Sequence, residues 1–211
     1  MSYLKTYIAQ GEHETQDFKM RIDDCQKIAR SLVAFANTKG GRLLIGVKDN
    51  GSVCGVRPEE ELHMIVRSAE EFCLPPINFQ HTLWRIEGKT VLEIWVEDSV
   101  FKPHLAKTEE GWKAFVRNND VTIPASAVWV MKEALIKERE AEPESLFAFT
   151  AKEEELFSLL KSGRYTLNQL SRKTGAPRPV LIRKLAKLMK WNVIKEIFED
   201  GKAHYVMNPN N

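Results

Sequence analysis

Apolar residues recur at near-helical spacing through residues 22–37, IDDCQKIARSLVAFAN, where Ile22, Ile28, Leu32, Val33 and Phe35 fall on one side. The spacing predicts an amphipathic helix that Asp23 or Asp24 caps and that the Gly40-Gly41 pair ends. RLLIGVKD and SVCGV then flank Asn50-Gly51, a dipeptide that tolerates positive φ, so a strand, a turn and a strand are expected. A second helix is expected over 58–73, PEEELHMIVRSAEEFC. Proline stands at a first helical position there, acids fill the first turn, and Leu62, Ile65, Val66 and Ala69 form a stripe. FQHTLWRI and KTVLEIWVED read as strands around a Glu87-Gly88 turn, WKAFVRN (112–118) as another strand, and ASAVWVMKEALIKER as a helix. The first part of the chain is therefore expected to be α+β, a mixed α/β domain with helices against one sheet.

After residue 138 the pattern changes. Residues 139–149, REAEPESLFAF, carry charges and Pro143 with little periodicity and read as a linker. TAKEEELFSLLKSG is a helix with a T-x-x-E capping box at Thr150 and Glu153, and TLNQLSRKTG is a short helix ended by Gly175. PRPVLIRKLAKLMKWN is a third helix, and VIKEIFEDGKAHYVMN gives two strands joined at Asp200-Gly201. Three helices followed by a hairpin resemble a winged helix-turn-helix. The expected plan is an α/β domain over 1–138, a linker over 139–149 and a winged helix over 150–211.

A length of 211 residues leaves room for one sizeable core and a small second domain. With 43% hydrophobic residues, no stretch approaches the ~18 apolar residues of a membrane span. The start, MSYLKTYIAQGEHE, lacks the apolar core of a secretory signal, and three cysteines without C-x-x-C spacing suit a reducing cytoplasm.

The net charge of +2 conceals an asymmetry: residues 1–149 hold 19 Lys/Arg against 23 Asp/Glu, whereas 150–211 hold 12 against 6. So concentrated a positive balance points to a polyanion partner, the plainer reading being a solvated basic surface. In a helix-turn-helix the later helix enters the major groove, and here it carries Arg178, Arg183, Lys184 and Lys187 while Leu181, Leu185 and Leu188 turn to the core. Lys202 stands at the hairpin tip. DNA is the first expected partner and RNA the alternative. A homodimer suits paired half-sites.

Gly40 and Gly41 fit neither GxxxxGK[ST] nor GxGxxG, so turn chemistry accounts for them; with Lys39 they also offer amides and a cation to a phosphate. Four blocks carry a resemblance: GEHETQDFK (11–19), AFANTKGGRLLIGVKDNGSVCGV (34–56), KPH (102–104) and FVRNNDVTIPA (115–125). Their order resembles the Schlafen AlbA-2 domain, also described as a divergent AAA domain, whose bacterial members often carry a C-terminal winged helix and are taken for transcriptional regulators. The resemblance spans roughly 11–135.

Some Schlafens are metal-dependent endoribonucleases with three carboxylates. The resemblance puts these at Glu12, Asp17 and Asp49, with Mg²⁺ or Mn²⁺ as the ion. Asp17 stands where Glu is usual, one methylene shorter, and Glu14 lies between it and Glu12. Read without the resemblance, Glu12 and Asp17 are surface acids and Asp49 belongs to the turn. Arg117, in FVRNND, meets a phosphate, an acidic partner or a strand-end ion pair. ATP hydrolysis is not expected without a Walker lysine. His13, His63, His81, His104 and His204 are too scattered for a zinc site.

The sequence thus reads as a two-domain nucleic-acid-binding protein of the transcriptional-regulator type. The alternatives are a metal-dependent endoribonuclease and a nucleotide-binding or assembly module without catalysis.

Overall fold

The computed structural model describes residues 3–138 and 151–209; the linker expected over 139–149 and the Thr150 cap lie outside them. The chain divides into two compact units, Met1–Ala125 and Ser126–Asn211. The first runs α1 (Tyr3–Gln10), β1 (Gln16–Lys19), α2 (Cys25–Asn37), β2 (Gly41–Ile45), α3 (Pro58–Glu71), β3 (Cys73–Leu74), β4 (Gln80–Ile86) and β5 (Lys89–Val96). It continues through β6 (Leu105–Thr108), β7 (Gly111–Lys113), β8 (Phe115–Asn118) and β9 (Val121–Pro124). The main sheet has the order β1-β2-β5-β4 and is parallel only between β1 and β2; β3-β6-β7 and β8-β9 form two smaller sheets.

Helix α2 forms where the spacing predicts. Asp24 is its N-cap, accepting from the N–H groups of Gln26 and Lys27, so two of the helix's otherwise orphaned donors are satisfied. Its stripe of Ile28, Leu32, Val33 and Phe35 shares one core with Leu43, Ile45, Leu92 and Ile94 of the sheet and Ile65 of α3. The next turn brings backbone against backbone. A Cβ on Gly40, at φ +69, would stand 2.7 Å from the Val96 carbonyl oxygen, and one on Gly41 would stand 2.4 Å from the Phe35 ring. Only glycine fits both positions.

At the end of α2 the Asn37 side chain is 2% exposed and makes three hydrogen bonds. Its amide donates to the carbonyls of His104 and Phe115, both at 2.9 Å, and its oxygen accepts from the His104 N–H at 2.8 Å. The adjacent Thr38 hydroxyl accepts from the Arg117 N–H, and its carbonyl accepts from Lys102 Nζ. One helix terminus therefore holds the starts of β6 and β8.

Two strand expectations are corrected. WKAFVRN is not one strand: it breaks at Ala114 into β7 and β8, which belong to different sheets. SVCGV forms no strand beyond a Val47–Val53 bridge, because after Gly46 the chain turns to hydrogen-bond elsewhere, Val56 N–H reaching the Thr90 carbonyl. Only Gly51 of the Asn50-Gly51 pair takes positive φ, so the turn is wider than a two-residue primed hairpin. Glu87-Gly88 and Asp200-Gly201, by contrast, both take positive φ throughout and close tight hairpins.

The second unit contains α4 (Ala127–Lys137), α5 (Ala151–Ser162), β10 (Tyr165–Thr166), α6 (Leu167–Thr174), α7 (Arg178–Lys190), β11 (Ile194–Glu199) and β12 (Lys202–Met207). Its strands form the sheet β10-β12-β11. Thr166 and Gln169 make a reciprocal capping box at the start of α6, and Gly175 ends it in the left-handed conformation. The 1–138 boundary put the helix at 127–137 in the first domain, but α4 groups with the second unit. Its Val128 and Leu135 join the core of Leu156, Leu170, Leu181 and Leu185, and Lys190 donates to the Leu135 carbonyl.

Replacing Asn37 by alanine strands one donor and two acceptors in the interior, at a cost of about 2–4 kcal/mol. Thermal unfolding should show a midpoint lowered by about 10 °C. A shift of under about 2 °C would show that these bonds are not what joins the parts.

Candidate functional site

Glu12, Glu14, Asp17, Lys39 and Arg117 of the first unit lie near the end of α2. Glu12 precedes β1 and accepts from the Phe18 N–H at 2.9 Å, while Asp17, 5% exposed, sits within β1. Burial first, and the neighbouring Asp17 carboxyl second, push the Glu12 carboxyl above its ordinary value. Lys19 Nζ lies 3.0 Å from both Asp17 oxygens.

Arg117 is buried under the same loop. Its guanidinium donates to the carbonyls of His13, Glu14 and Asp120 and to the Thr122 hydroxyl, and it lies 5.1 Å from the centre of the Phe35 ring. Burial lowers its pKa, against the pull of Asp17, Glu12, Asp120 and Glu14. A planar fork held by carbonyls on both sides is a strut for the 13–15 loop. Lys39 is exposed and its Nζ lies 2.6 Å from Glu14 Oε2. Gly40 and Gly41 abut Val96, Phe35 and Thr15, which accounts for them by packing.

Asp49 stands apart from this cluster in character, exposed in the turn after β2. Among the described residues, no three His, Cys, Asp or Glu side chains are grouped to hold a metal ion. The donors therefore do not fit a resident divalent cation as they stand: Asp49 is not grouped with the other two, and the Lys19 ammonium sits on Asp17.

In the second unit, α7 buries Leu181, Leu185, Ala186 and Leu188. Arg178 and Arg183 are exposed, Lys184 and Lys187 are half-buried, and Lys202 is exposed at the β11–β12 turn. Arg178 also bonds the Asn168 side chain. Arg183, Lys184 and Lys187 share a groove of about 920 Å³ with Phe157, Leu188 and Trp191, so this face of α7 is mixed apolar and basic rather than a plain row of cations. Arg172 and Lys173, in the last turn of α6, are exposed beside it in sequence and extend the basic set.

Sequence reasoning missed Asn37, Thr38 and Lys19. The signal for Asn37 was present: it lies four residues after Val33, on the apolar side of a helix, where an amide needs buried partners.

Residues 12–126 match the model of the family described as Schlafen, AlbA_2, and the chain belongs to that family. Two solved structures are similar. One is the DIP2311 protein from Corynebacterium diphtheriae, at 18% identity and a TM-score of 0.45, over 62% of this chain and 27% of that one. The other is the N-terminal domain of an ATP-dependent DNA helicase RecG-related protein from Nitrosomonas europaea, at 20% identity and 0.43, over 56% and 89%. No curated protein matches the chain.

A carboxyl with a raised pKa binds its proton more tightly in the folded state than in the unfolded one. Its stabilising contribution is present at low pH and is lost as pH rises from 4.5 through the raised value. Glutamine at position 12 keeps an acceptor for Phe18 and abolishes that titration. The denaturation midpoint of Glu12→Gln should therefore gain on the wild type as pH rises through this window. Parallel curves would refute the raised Glu12 carboxyl.

Proposed function

We propose that the chain is a nucleic-acid-binding protein of the transcriptional-regulator type whose second unit is a winged helix-turn-helix that holds duplex DNA. The observation that carries this reading is the joint between α6 and α7. Two helices meet across Gly175-Ala176-Pro177, a short turn that opens on a glycine and is fixed by the Ser171 hydroxyl bonding the Ala176 carbonyl. The joint leads into a helix whose first turns carry exposed Arg178 and Arg183. The order of α5, β10, α6, α7 and the β11–β12 hairpin, with β10 pairing β12, supports the winged-helix reading.

Recognition helices present their N-terminal residues to base edges, while the helix before them crosses the backbone. In this reading Arg178 and Arg183 lie over the major groove. Arg172 and Lys173 at the end of α6 and Lys202 at the hairpin tip lie along phosphates. Lys184 and Lys187, half-buried in the groove on α7, add to the field more than to contacts. Membership of the Schlafen AlbA_2 family supports a nucleic-acid-related role in general terms. The first unit, whose cluster of charges is internally paired, serves here as a carrier or sensor.

Fluorescence anisotropy of the full chain with mixed duplex DNA, repeated across a salt series, tests the reading. Three phosphate-facing cations predict a slope of log K against log salt near −2.7, since each contact contributes about 0.9. Arg172→Ala with Lys173→Ala should flatten it by about 2, and Arg178→Ala with Arg183→Ala should weaken binding roughly 10- to 100-fold. Binding that is indifferent to both substitutions and to Lys202→Ala would move the interface off the second unit. Single-stranded RNA competing better than duplex DNA would replace the ligand.

A further inference from the structure

The main sheet ends in two edges of unlike construction. At one edge β1 has four residues, with Gln16, Asp17 and Phe18 buried and Lys19 closing it. At the other, β4 has seven residues and pairs with β5 in unbroken register from Gln80–Trp95 to Ile86–Lys89. Gln80, His81, Thr82, Leu83 and Arg85 are all exposed, Leu83 at 53%.

Long, regular edge strands are normally blunted by proline, lysine, inward charge or a bulge, because unpaired N–H and C=O groups invite another strand. Residues 80–86, QHTLWRI, contain no Pro, Lys, Asp or Glu, and the register shows no bulge. Trp84 and Ile86 pack on one face of the sheet with Val91. Alternation sends Leu83 to the other face, where half of it stays exposed among the described residues.

We propose that this edge is a homodimer interface, in which β4 of one copy pairs antiparallel with β4 of a second copy about a two-fold axis through Leu83. The strand's own sequence argues for that occupant. Centring the axis on Leu83 is the register that pairs all seven residues. It sets Leu83 against the partner's Leu83, Thr82 against the partner's Trp84, His81 against the partner's Arg85 and Gln80 against the partner's Ile86.

No carboxylate is buried, and Arg85 never faces its own copy. Moving the axis two residues along, to Arg85, would bring the two guanidiniums together. The leucine pair fills the exposed centre, flanked on the same face by His81–Arg85 pairs on both sides. Such a contact is isologous and closes after two copies, giving an eight-stranded sheet rather than a fibre. Seven residues a side is a small contact, so the dimer forms and dissociates with concentration. The inference concerns the first unit alone and does not depend on DNA binding by the second.

Sedimentation velocity on the full chain provides the test, with Leu83→Lys and Leu83→Glu measured singly and then mixed. Wild type should pass from monomer to dimer as concentration rises to about 100 μM, in the range of weak specific contacts. Each variant alone sets like charges face to face at the axis and should stay monomeric. The 1:1 mixture sets Lys against Glu and should recover the dimer, a rescue that a misfolded variant cannot give. Hydrogen exchange across 80–86 should slow with concentration in wild type and not in either variant.

A wild type that remains monomeric overturns the proposal and leaves the edge to an extended segment of another protein. Variants that dimerise like wild type overturn it by placing the interface elsewhere.

Discussion

The first unit depends on a buried amide at a helix end. Asn37 closes α2 and must find partners, because a polar side chain 2% exposed is costly unless it is bonded. It finds them in two chain segments more than sixty residues away, through His104 and Phe115. Once those are fixed, Thr38 receives Arg117, and Arg117 reaches the carbonyls of His13 and Glu14. Lys39 completes the circle on Glu14. The four blocks 11–19, 34–56, 102–104 and 115–125 thus meet at one point, which explains in physical terms why they occur together: each supplies a bond that another needs.

That geometry also decides what the charges can do. Asp17 is engaged by Lys19, Glu12 by Asp17 and the Phe18 N–H, and Arg117 by backbone oxygens. A cluster so completely paired is a fastening. A set of exposed cations lies in the second unit, on the last turn of α6, the first turns of α7 and the hairpin tip. The charge asymmetry along the chain, acidic before residue 150 and basic after it, underlies the proposed division between a part that holds itself together and a part that holds a polyanion.

Much of this was legible wherever local chemistry decides the outcome. Asp24 capping α2, Gly175 after α6 and the tight turns at Glu87-Gly88 and Asp200-Gly201 are each written in adjacent residues. What failed were outcomes set by distant partners. Nothing near Ala114 announces that Trp112 and Phe115 belong to different sheets. Residues 52–56 look like a strand until Thr90 claims Val56. The helix at 127–137 reads the same whichever unit it joins, and only the contact of Val128 and Leu135 with α5, α6 and α7 assigns it. The carboxyl set was visible as residue types; that Lys19 occupies Asp17 is a register effect within β1, where side chains two apart share a face. The α7 cations were legible as a set, but their unequal exposure was not, since Met131 of α4 and Phe157 of α5 wall the groove beside them.

The account's central claim is this division of labour, and hydrogen exchange of the full chain with and without duplex DNA at low salt tests it most directly. It predicts slowed exchange in 166–190 and at the 194–207 hairpin, with the amides of 12–19 and 37–41 unchanged. Protection confined to 12–19, 37–41 and 115–118, with α7 exchanging as before, would contradict it and make the fastening at the end of α2 the binding surface.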